Sequence, residues 1–83
     1  MSQTFFHLRD GADTLPDPEG IEMPNLEAAR VCAKRHAYSI MADDTSKGQL
    51  NLNYCIEIAD GGGKVLDTVY FRDLVEIAGL QAR

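Results

Sequence analysis

The chain offers few residues whose types and spacing could do chemistry. His7 stands first, in the run Phe5-Phe6-His7-Leu8-Arg9-Asp10. An imidazole titrates near neutral pH, so next to an arginine and an aspartate it could hold an anion or pass a proton. Arg72 and Asp73 form a second charged pair. If a sheet brings them across from the first, Asp10, Arg72 and Asp73 make a candidate polar cluster. Against this stands the ordinary role of a half-exposed strand histidine. His36 falls on the flank of an expected helix, about 80° from its apolar stripe, and reads as a boundary residue.

Other chemistries lack their parts. His7, His36, Cys32 and Cys55 show no C-x-x-C or H-x-x-x-H pairing of the kind zinc requires. Asp10, Asp13, Asp17, Glu19 and Glu22 lack the alternate ligand spacing and closing glutamate of a calcium loop. They read as a solvated acidic loop. No Gly-x-Ser-x-Gly occurs, and Ser2, Ser39 and Ser46 have no evident base. The glycines at 61–63 are not followed by Gly-Lys-Ser/Thr and read as a turn. No metal, cofactor or catalytic residue is expected. Arg30 and Lys34, four apart on a helix, could touch a phosphate, but are expected to face the acidic loop or solvent. The net charge of −5 opposes nucleic acid, whose binding rests on phosphate neutralisation.

The elements that must position these residues follow from periodicity. Residues 3–9 alternate as a strand, with Phe6 and Leu8 inward and Phe5, His7 and Arg9 outward. Asp10-Gly11 is a hairpin signal. A short second strand is expected over 13–15, a rigid turn at Pro16-Asp17-Pro18-Glu19-Gly20, and a brief return to the sheet at 21–23. Asn25 is suited to cap a helix and Glu27 to its first turn. Leu26, Ala29, Ala33, Ala37, Ile40 and Met41 form its stripe, and Lys47-Gly48 end it. A strand over 52–59, a turn at 60–63 and a strand over 64–71 complete the sheet. The preferred register pairs Ala59 with Lys64, Ile58 with Val65 and Ile56 with Asp67, the last near a sheet edge. The three glycines also permit a one-residue slip or a bulge. Asp73 is expected to cap a short helix over 74–78, with Leu74 and Ile77 inward. The expected fold is α+β: a ββ-α-ββ two-layer sandwich of one long helix on an antiparallel sheet.

Length and composition agree with one small domain spanning residues 1–83. The hydrophobic share is 45% and the charged share 25%, both ordinary for globular chains. A chain this short has a core only one layer of side chains deep. Two cysteines are too few for a stapled secreted domain and read as reduced thiols. No apolar run approaches the ~18–20 residues of a membrane span. Residues 1–10 lack the pattern of a signal peptide. A cytoplasmic protein without membrane contact is expected. Val31, Tyr38 and Ala42 lie within about 40° of one another on the helix side away from the stripe. They form one candidate interaction surface for a second copy or another protein, and Phe5, His7 and Arg9 on the outer sheet face form a second. The two sheet edges offer a further route to dimers.

The runs FFHLRDG at 5–11, PDPEG at 16–20, PNLEAAR at 24–30 and GKVLDTVYFRDLVEI at 63–77 occur in that order at tight spacing. Together they resemble a family of short bacterial proteins, domain of unknown function 6894. Where that family more often has proline before Phe71-Arg72-Asp73, this chain has Tyr70. The resemblance implies a fold and a bacterial cytoplasmic setting, and no activity. Residues 8–37 also resemble, more loosely, HicB-type antitoxin domains. The functional expectation is a non-catalytic interaction or regulatory domain that self-associates. The alternatives are an antitoxin-like or nucleic-acid-associated regulator, and a small-ligand binder or enzyme built on His7, Arg9 and Asp10.

Overall fold

The alternation at the start of the chain becomes β1, Gln3–Asp10, in a computed structural model that describes residues 3–75. Thr4 and Phe6 are buried on one face, with Leu8 packed beside them. Gly11, at φ 61°, opens a two-residue turn into β2, Asp13–Leu15. Asp10 then pairs with Asp13 and Leu8 with Leu15. Pro16 has no N–H to donate, and the ladder stops there. The chain loops out and returns as β3, Ile21–Glu22, opposite Thr4 and Gln3. This two-residue strand adds a fifth member to the four of the expected ββ-α-ββ order.

Helix α1 spans Leu26–Ser46. Asn25 Oδ1 accepts the Ala28 N–H at 2.8 Å, and Glu27 sits in the first turn. At the far end Gly48 takes φ 78°, and Gln49 N–H reaches back to Asp44 O at 2.8 Å. That is the left-handed glycine cap expected of Lys47-Gly48. Ala29, Ala33 and Ala37 expose no surface. These small side chains let the helix axis lie close to the sheet. They pack with Phe6, Ile56, Ile58, Val69 and Phe71 in one core.

The C-terminal hairpin and the turn beyond it differ from expectation. β4 is Tyr54–Ala59, beginning two residues late. Asn51 Oδ1 captures the Asn53 N–H at 2.9 Å and holds that stretch in a turn. β5 is Val65–Tyr70. Phe71 leaves the strand for a 3-10 turn, Phe71–Asp73, which buries its ring edge-on against Tyr54 at 5.5 Å. A short helix was expected over 74–78, just beyond this turn. Leu74 closes it, Val75 is not helical, and residues 76–78 lie outside those described.

The register is also corrected. Ala59 faces Val65, but Ile58 faces Asp67 and Ile56 faces Val69, so a bulge takes up Leu66. The Asp60 carboxylate accepts the N–H groups of Gly62 and Lys64, both at 2.9 Å, which fixes the turn. The bulge then lets Val69 join the core and carries Asp67 to the helix. The sheet order is β2-β1-β4-β5, with β3 also on β1. α1 covers one face of the sheet.

Candidate functional site

Three places hold the residues singled out by type. The first is the outer face and free edge of β1. Beyond β2, Phe6 N–H has lost its ladder partner and donates instead to Asp17 Oδ2 at 3.2 Å. Asp17 Oδ1 accepts the N–H groups of Glu19 (3.2 Å) and Gly20 (3.1 Å). Asp17 N–H in turn donates to His7 Nδ1 at 3.0 Å. His7 therefore carries its neutral-ring proton on Nε2, and its other nitrogen is committed to the loop. Its ring stacks on Phe5, 6.2 Å away. Gly20, at φ 74°, lies so close to Phe5 that a Cβ there would come within 2.8 Å of the ring. Burial pushes the Asp17 carboxyl up. The N–H groups of Gly20, Phe6 and Glu19 outweigh it and hold the group below the usual carboxylate range.

Arg9 continues the same face. Its guanidinium meets Glu57 Oε2 at 2.9 Å and Gly11 O at 3.3 Å. Opposite Arg9 lies Cys55, whose thiol is pushed up by burial and then by the Glu57 charge. That thiol stays protonated at neutral pH and is a poor nucleophile. Arg72 lies over the Tyr70 ring, 5.5 Å from its centre. Asp10 sits at the end of β1 opposite Tyr54, with β4 between it and the turn that carries Arg72 and Asp73. No hydrogen bond or ion pair joins Asp10, Arg72 and Asp73 to one another. His36 is on the helix side of the sheet, edge-on to Phe6 at 5.8 Å.

The second place is the contact of α1 with β5. Arg30 Nε donates to Asp67 Oδ2 at 2.6 Å, and Arg30 also approaches Glu27 at 3.6 Å. Arg30 thus faces the sheet edge, not the acidic loop. A guanidinium reaches farther than its Cα position suggests, and the bulge brings the carboxylate to it. Arg30 and then the Thr68 N–H hold the Asp67 carboxyl below its usual range. A charge on the inner face of an edge strand, beside a bulge, opposes addition of another strand. The opposite edge is broken by the 16–20 loop and two prolines. Both edges expected to favour strand-to-strand dimers are blunted.

The third place is the outer side of α1. Val31 is 45% exposed and Tyr38 51%, and Ala42 is exposed beside them. Tyr38 and Ala42 continue into an apolar groove of about 630 Å³ with Met41, Thr45, Leu50 and Leu74. Leu50 is 49% exposed. Lys34 and Arg35 are exposed on this side and enter no ion pair among the described residues.

Sequence reasoning missed Asp17 as the residue that organises the loop. The signal was present: between two prolines, its carboxylate is the natural acceptor for a turn. Leu50, in a polar linker, gave no periodic signal. Among the described residues no three His, Cys, Asp or Glu side chains converge as metal ligands. No buried side-chain nitrogen or oxygen among them lacks a hydrogen-bond partner. None of the described helices is long and apolar enough to cross a membrane. We found no match among curated proteins or solved structures. The order of β1, the Asp17 loop, α1 and the β4–β5 hairpin is nonetheless a family pattern: the model of the domain of unknown function DUF6894 matches residues 5–72, and the chain belongs to that family.

Proposed function

We propose that this protein is a non-catalytic interaction or regulatory domain that associates with itself through the side of α1 bearing Val31, Tyr38 and Ala42. The observation that carries this reading is the contrast between the two sides of one helix. The inner side spends every alanine of its stripe on the core, while the outer side leaves Val31 and Tyr38 about half exposed in a line. Isolated apolar residues on a surface are ordinary; an aligned set running into an apolar groove is a contact surface. The residues that would serve catalysis are occupied: His7 Nδ1 by the loop and Arg9 by Glu57. The free thiols of Cys32 and Cys55 suit a reducing, cytoplasmic setting.

Sedimentation velocity over a wide range of protein concentration tests the reading. A reversible shift from monomer to dimer is expected. Tyr38→Asp should hold the protein as a monomer, while Tyr70→Ser, on the exposed part of the outer sheet face, should leave the dimer intact. A wild-type protein that stays monomeric at every concentration would end the proposal.

A further inference from the structure

The pattern of charge around Val31 specifies how a second copy would sit, and this inference rests on the self-association proposed above. Glu27 lies one helical step of four before Val31, and Arg35 lies four after it. The three form a single ridge along the exposed side of α1 reading acid, apolar, base. A ridge of that kind is complementary to itself when reversed.

We infer that two copies pair with their α1 helices antiparallel, on a two-fold axis at Val31, so that Glu27 of each copy meets Arg35 of the other. In this arrangement residues equally spaced about Val31 oppose one another. Val31 meets its own counterpart. Lys34 passes over Ala28, whose small side chain permits close approach. Seven residues out, Tyr38 covers Pro24 of the second copy. Glu27 has room for this: its side chain is 80% exposed, and the Arg30 guanidinium beside it, 3.6 Å away, is bonded more closely to Asp67. Arg35 has no ion-pair partner among the described residues of its own chain.

The competing arrangements are poorer. Parallel helices would set Glu27 against Glu27 and Arg35 against Arg35. An antiparallel pair centred on Tyr38 would lay Lys34 and Arg35 over Ala42 and Met41, with no acceptor for either cation. Among these three arrangements the charges favour the axis at Val31, as electrostatic complementarity commonly favours one register. A contact along one helix lies near the lower limit of specific interfaces, about 1,200 Å² in total, so a weak, reversible dimer is expected.

Charge reversal tests the axis. Glu27→Arg alone, or Arg35→Glu alone, sets like charges together twice in each homodimer. Each should weaken dimerisation by about tenfold or more. An equimolar mixture of the two variants should dimerise again, because every substituted side chain then meets an opposite charge across the axis. Sedimentation equilibrium reads all three samples, with circular dichroism checking the helix in each. If the wild type dimerises and both variants dimerise equally well, the axis is wrong while self-association stands. A mixture that fails to recover overturns the axis in the same way. If the wild type does not dimerise, the failure belongs to the functional reading itself.

Discussion

The loop over β1 and the outer side of α1 both carry residues that catch attention in the sequence, and they use them in opposite ways. His7, Asp17 and Phe5 look reactive or adhesive by type, yet each is consumed in holding the 16–20 loop to the free edge of β1. Val31 and Tyr38 look like core residues by type, yet about half of each stays exposed on the outer side of α1. A polar side chain with several internal partners has little left to offer a ligand. An apolar side chain left half exposed retains the gain from burying the rest. Substitution in the loop should therefore cost folding, and substitution on the helix should cost association.

Asp17→Ala should break this contrast most sharply. It strips the acceptor from the N–H groups of Phe6, Glu19 and Gly20 at once. Hydrogen bonds to a charged group contribute about 1.5–3 kcal/mol each at most, and the partly exposed ones less, so a loss of about 3 kcal/mol is expected. Chemical denaturation would read it as a lower midpoint at an unchanged slope. A change below about 0.5 kcal/mol would mean that water replaces the carboxylate and that the loop is not strapped.

Gly20→Ala and Gly48→Ala sharpen the same point with one chemical change in two settings. Both glycines have positive φ, 74° and 78°. That conformation alone costs an alanine about 1–2 kcal/mol. At Gly48 nothing lies within 4 Å of the added Cβ. At Gly20 the Cβ would meet Phe5 Cε2 at 2.8 Å and Thr4 O at 3.0 Å, and backbone cannot yield as a side-chain tip can. Gly20→Ala should therefore exceed Gly48→Ala by about 1 kcal/mol or more in thermal or chemical denaturation. Equal losses would show that Phe5 moves freely and that the loop packs loosely.

Acid should weaken the two straps together. Asp17 and Asp67 both have carboxyls held below the usual value of 3.8 in the folded chain. Their contribution is complete above that value and is lost as pH falls through the lower, folded values. Stability should thus be flat with respect to these groups above about pH 5 and decline below about pH 4. Asp67→Asn should flatten part of that decline and lower stability near neutral pH by about 1 kcal/mol, since the Arg30 pair is partly exposed. A decline of undiminished steepness in Asp67→Asn would assign the acid sensitivity elsewhere.

Much of the fold was legible because local chemistry and global packing agreed. The Asn25 cap, the Gly48 stop and the alanine stripe between them each pointed to the same helix, and the structure bears them out. The hairpin register was not legible. Alternation places Asp67 on the core face of β5, but only the position of Arg30, 37 residues away, makes that placement favourable. A pairing between distant elements leaves no local periodicity to read. The same holds for His7, whose partner is a backbone N–H ten residues on. Side-chain type drew attention to the imidazole, and type carries no information about whether a nitrogen is already taken. Val31 and Tyr38 were readable as outward-facing from helical geometry alone, because the residues that bury the other side lie in the same helix.

Tyr38→Asp marks the small end of the scale. The ring stacks on no other aromatic side chain and meets no cation among the described residues, and about half of it is exposed. Exposed substitutions away from caps and cores usually alter stability by less than about 0.5 kcal/mol. The carboxylate would sit mid-helix, away from either terminus, so the helix dipole adds little. The monomer should therefore denature as wild type does when both are measured well below the dimer's dissociation constant. At higher concentration the wild type alone should gain stability, because association draws the equilibrium toward the folded state. Concentration dependence in the wild type, absent from Tyr38→Asp, would assign the ring to the contact between copies. A large loss in dilute solution would instead make Tyr38 part of the fold, and the contrast between the helix and the loop would collapse.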